Sequence, residues 1–201
     1  MEIDRVTLQS MGPSLGTDLA IRYCIPLAMY MLLKANSYLP DDLEPDKFCF
    51  DLDREKLGST VINPKVDWSR PALTKFLRHK YGATIISWML GWPPPTDFPA
   101  MTKAGYIETE KEIEFFKSRV EGRSVEEIVK AGYPVAATME PGFGTDQNKN
   151  IHAVILLEWR DDTVIVIDPD ARNKQTEFSP ERVRQFISPK GGGTVILPKD
   201  E

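Results

Sequence analysis

HAVILLEWRDDTVIVIDP, residues 152–169, decides how this chain is read. Two apolar runs, 153–157 and 164–167, flank Arg160-Asp161-Asp162, a polar break short enough for a hairpin. Both runs are rich in the β-branched residues that strands favour. A histidine opens the first run, and an aspartate closes the second just before Pro169. Antiparallel strands bring the start of one and the end of the next to the same edge. His152 and Asp168 are therefore expected to be neighbours, where a carboxylate orients the imidazole and stabilises its charged form. Asp168 before a proline is also an ordinary turn starter, and Asp170 could take its place beside the ring.

Working outward, the first candidate partner of such a pair is in CIPLAMYMLLKAN, residues 24–36. From Ile25 to Leu33 every residue is apolar, aromatic or proline. A helix apolar all round is a buried helix, and Pro26 suits its first turn. Cys24 then lies at the positive end of the helix dipole, which lowers a thiol pKa; an imidazolium beside it would make it a nucleophile at neutral pH. A cysteine in this setting is equally a core thiol, and spacing alone does not bring Cys24 to His152.

The rest of the chain supplies the frame. Residues 1–17 read as an irregular lead-in, and 37–68, rich in Pro and Asp, carry no clear period. Residues 69–82 read as a helix capped by Ser69, with Pro71 in its first turn and Leu73, Phe76 and Leu77 in a stripe. Residues 83–90 read as a strand and 91–99 as a proline-rich loop. Thr109 with Glu112, and Ser124 with Glu127, are capping boxes, each opening a helix. The charges over 108–114 read as a solvated face. VAATM, residues 135–139, is a strand; Ser179-Pro180 starts a last helix; residues 194–197 close the sheet. Helices first, then strands joined by hairpins, is the α+β pattern.

Composition narrows the function. The 201 residues suit a single domain spanning 1–201. A net charge of −5 argues against nucleic acid as a partner. No apolar stretch reaches the length of a membrane span, and no secretory signal is visible, so a cytoplasmic protein with no membrane partner is expected. Its two cysteines, Cys24 and Cys49, are then reduced. They are too few for a four-cysteine zinc site, and Cys24, His152 and Asp168 lack paired metal-ligand spacing, so neither metal nor other cofactor is expected. Cys49, between Phe48 and Phe50, reads as core. His79, in the last turn of its helix, reads as structural. Trp88 and Trp159 read as packing residues, whereas Trp92, beside three prolines, is the candidate substrate contact.

In order and spacing these stretches resemble the papain-like cysteine peptidases, and within them the C39-like families. The matching segments are CIPLAM at 24–29, AGYPVAATM at 131–139, the hairpin at 152–169 and SPERVRQFISPKGGGTVIL at 179–197. The resemblance implies a buried helix packed on a mainly antiparallel sheet. It also implies Cys24 as nucleophile, His152 as base and Asp168 as orienter, acting on a peptide or amide substrate. Two positions depart from the pattern. Asp18 stands where the family has an oxyanion-donating glutamine, and Ile25 where it has glycine. A carboxylate repels the charge that such a donor would stabilise by roughly 3–4 kcal/mol. The expected function is a cytosolic thiol hydrolase. An acyltransferase using the same thioester, or a binding module that has lost its chemistry, stay open as alternatives.

Overall fold

The hairpin belongs to a six-stranded sheet in the computed structural model, which describes residues 17–55, 70–89, 97–144, 151–170, 176–189 and 191–199. The helices are α1 (Thr17–Ala35), α2 (Pro45–Arg54), α3 (Arg70–Tyr81), α4 (Phe98–Ala104), α5 (Glu110–Phe115), α6 (Val125–Lys130) and α7 (Pro180–Phe186). A π-helical turn, Phe116–Val120, continues α5. The strands are β1 (Ile85–Met89), β2 (Val135–Met139), β3 (His152–Trp159), β4 (Val164–Ile167), β5 (Glu177–Phe178) and β6 (Gly192–Ile196). Their order is β1-β6-β2-β3-β4-β5, with every pairing antiparallel. The architecture is α+β, as the order of elements predicted.

Both faces of this sheet are covered, which is why 153–157 and 164–167 are continuously apolar instead of alternating. On one face Ile85, Ala136, Ile155, Ile167 and Ile196 pack against Leu27 and Met31 of α1, Phe48 of α2, and Leu73 and Leu77 of α3. On the other, Ile86, Val135, Val154, Leu156 and Val166 meet Phe116, Ile128 of α6 and Val183 of α7. The register of β3 against β4 shifts between Leu156 and Glu158. Leu157 therefore faces the first layer and Trp159 the second, although the two are two residues apart.

Helix α1 starts at Thr17, ahead of the expected start at Cys24, but it is two helices in one. Tyr23 breaks it with φ −120° and ψ 28°. Pro26 explains the break, because it lacks the N–H that would bond the carbonyl of residue 22. The Tyr23 hydroxyl donates to the Asp53 carboxylate of α2, tying the break to the neighbouring helix. Cys24 thus does open a helical segment, the one buried under the sheet.

Other expectations need correction. Residues 45–54 form α2, buried through Phe48, Cys49 and Leu52. Residues 98–104 form α4, capped by the Asp97 side chain, which accepts from the Ala100 N–H at 3.0 Å. Ser69 lies outside the described residues. The charges over 108–114 are not wholly solvated, because Glu112 is fully buried. It accepts from Arg78 Nε at 2.7 Å and from the N–H groups of Ile85, Glu108 and Thr109. Arg78 also donates to the carbonyls of Gly105, Ile85 and Tyr106. This pair has the hydrogen bonds that a buried ion pair needs, and it locks α3 to β1 and to the start of α5. Both capping boxes form as the sequence indicates.

Candidate active site

Three side chains far apart in sequence meet where the break in α1 faces the start of β3. His152 is the first residue of β3, and Asp168 follows the last residue of β4. Both are buried, at 5% and 8% exposure. The His152 ring bonds through Nε2 to Asp168 Oδ1. That oxygen also accepts the Asp170 N–H at 2.8 Å. Asp168 is therefore the carboxylate on the ring, and Asp170 fixes it through its backbone.

With Nε2 on Asp168, Nδ1 is the nitrogen left to face Cys24, and the ring lies close enough to the thiol to act on its proton affinity. The backbone N–H groups of Ala153 and Ile25 also favour the charged form of the sulfur. Ile25 is in the first turn after the break, where an N–H has no partner within the helix. Cys24 is partly buried, whereas Cys49 is fully buried; both thiols are free.

The electrostatics follow from these contacts. Burial pushes the Cys24 thiol up, but the hydrogen bond and charge of His152, aided by the two N–H groups, outweigh it, and the thiol lies below its ordinary value. Burial likewise pushes His152 down, but its bonds to Asp168 and Cys24 carry it up to about 10. Both shifts favour the thiolate–imidazolium form of the pair over the neutral one. Cys49 goes the other way: burial, together with Asp46 and Asp53, raises its thiol and keeps it protonated. His79 is exposed at the end of α3, 3.8 Å from Glu108. Trp88 and Trp159 are buried in the second layer. Asp18 belongs to the helical stretch before the break, but its side chain, and the whole of Trp92, lie outside the described residues.

Sequence reasoning passed over Arg70. It is 3% exposed, and its guanidinium donates to Thr194 Oγ1 at 2.8 Å and Thr138 Oγ1 at 2.6 Å. A faint signal was present: the first turn of α3 carries no acidic residue and begins with this cation, against the preference of a helix N-terminus.

No group of three or more His, Cys, Asp or Glu that could hold a metal occurs among the described residues. None of the described helices is long and apolar enough to cross a membrane. No protein-family model matches the chain, and no curated protein matches it. A solved structure from Bacillus anthracis, described as a candidate C39-like peptidase, superposes with a TM-score of 0.50 over 88% of this chain and 89% of that one, at 14% identity. At that identity the likeness is one of fold, and the chain has the α+β fold of this C39-like neighbour.

Proposed function

We propose that the protein is a thiol hydrolase of amide or peptide bonds. The observation that carries this reading is the juxtaposition of Cys24 with a His152 ring whose other nitrogen is held by Asp168. The Cys24 thiolate attacks the carbonyl carbon, and a C–S bond forms as the carbonyl electrons move to oxygen. The Cys24 N–H, at the broken start of its helical segment, is the natural donor to that oxyanion. As the intermediate collapses, the C–N bond breaks and His152 gives its proton to the leaving amine. Neutral His152 then takes a proton from water, which attacks the thioester and releases the acid. Asp168 keeps Nδ1 aimed at the sulfur throughout. A protein built on a free thiolate suits the cytosol, where thiols stay reduced.

Iodoacetamide labelling at neutral pH with peptide mapping tests the nucleophile. Cys24 should react and Cys49 should not; preferential labelling of Cys49 in the folded protein would sink the reading. Asp18 at the glutamine position favours a second reading, in which Cys24 is reactive but amides are not turned over. On that account Asp18→Gln raises hydrolysis of an activated ester, by up to about a hundredfold if one donor contributes its usual share. On the hydrolase account, with backbone N–H groups carrying the oxyanion, the change is small.

A further inference from the structure

A buried guanidinium is costly unless an anion meets it. Among the described residues Arg78 has Glu112, but Arg70, equally buried, has only the hydroxyls of Thr138 and Thr194. Those hydroxyls continue into a polar seam, from Thr194 to Ser87 at 2.9 Å and from Ser87 to Thr74 at 3.0 Å. The seam lies on the sheet face that otherwise packs α1, since its residues alternate with Ile86, Ala137 and Val195 of the opposite layer.

Its position relative to Cys24 follows from the register. Thr138 pairs with Ala153, the residue after His152, and the Ala153 N–H is among the groups that favour the charged form of Cys24. Arg70 bridges β2 and β6, while His152 and Ala153 begin β3, the strand next to β2. Thr138 is thus paired with the residue that follows His152, which places the guanidinium on the site's side of the sheet. Burial pushes Arg70 down to about 10, so it is still a cation at neutral pH, and it feels the charge of Cys24. A planar fork of five donors, two of its nitrogens spent on threonines, matches a carboxylate.

We propose that Arg70 is the anion subsite of the Cys24 centre, binding a carboxylate that the substrate carries a few bonds from the scissile carbonyl. The substrate class is then an acidic amide or peptide. This rests on the hydrolase reading above and narrows it.

Iodoacetate and iodoacetamide are a test pair of nearly equal size, differing in charge. Their rates with Cys24 are compared at constant ionic strength in wild type, Arg70→Gln and Arg70→Lys, each checked for fold by circular dichroism. The ratio of the two rates cancels any change in the thiolate fraction. It should fall about tenfold or more in Arg70→Gln and be partly kept in Arg70→Lys. An unchanged ratio, including one in which both rates drop together, overturns the proposal and leaves the hydrolase reading standing. Labelling of Cys24 by neither reagent overturns both. If Arg70→Gln does not fold, the wild type decides: glutarate should slow iodoacetamide labelling saturably and glutaramide should not. Equal protection by the two refutes the subsite.

Discussion

His152 is the centre of the proposed chemistry, because it faces Cys24 with one nitrogen and Asp168 with the other. Replacing it by alanine removes the hydrogen bond and the charge that lower the thiol and leaves the burial that raises it. Below its pKa a thiol loses thiolate tenfold for each pH step that the pKa rises. His152→Ala should therefore slow iodoacetamide labelling of Cys24 at pH 6–7 by about tenfold or more. Equal rates across pH 5–8 in a folded variant would mean that the ring is not coupled to the sulfur. Asp168 sits one step further out. An amide oxygen can still accept from Nε2–H, so Asp168→Asn should keep the ring in place yet lower its basicity, whereas Asp168→Ala loses both. Turnover and labelling should fall in the order wild type, Asn, Ala. If the two variants match wild type, orientation of the ring belongs to another group.

At the scale of elements, the break in α1 and the tie between α3 and α5 make the frame. Removing one partner of the buried Arg78–Glu112 pair leaves the other charge stranded, so Arg78→Met should cost about 3–5 kcal/mol in urea unfolding. Gly191 serves the frame differently. A Cβ there would lie 2.7 Å from Thr138 Cβ and 2.9 Å from Ser188 Cβ. Gly191→Ala should cost roughly 1–3 kcal/mol as overpacking does, and it should disturb Thr138, a partner of Arg70. A wild-type urea midpoint in either variant would contradict these packing arguments. The elements legible in sequence are those with local signals: both capping boxes, the Ser179 cap, and the hairpin with its histidine and aspartate. Helix α2 escapes a sequence reading because Pro45, Asp46 and Asp53 mask a short stripe of Phe48, Cys49 and Leu52. Glu112 reads as surface because its cap role is local, whereas its burial depends on Arg78, thirty-four residues away in the chain. The pairing of His152 with Asp168 can be read from strand direction, but the approach of Cys24 cannot, since it depends on α1 crossing the sheet.

The whole molecule links this site to stability, because the thiol comes from the helical layer and the imidazole from the sheet. Unfolding separates them and returns each to its ordinary proton affinity. His152 goes from about 10 in the fold to 6.5, so its stabilisation is complete below pH 6.5 and is lost as pH rises through 10. Cys24 runs the other way. Its folded value lies below 9.0, so its stabilisation is complete above pH 9 and is lost as pH falls through the folded value. Where the pH lies below 9 and above both 6.5 and the folded Cys24 value, the folded pair holds one proton, on the ring, and the unfolded pair also holds one, on the sulfur. The two slopes cancel there and the pair's contribution is flat. Cys24→Ala removes one half of that balance, and what is left of His152 should then decline steadily from pH 6.5 upward. The melting-temperature difference, wild type minus Cys24→Ala, should accordingly grow from acid pH up to about pH 9 and level off above it. Thermal scans of both proteins between pH 5 and 10 measure this, and a difference independent of pH would show that Cys24 is protonated in the fold and that no thiolate–imidazolium pair exists.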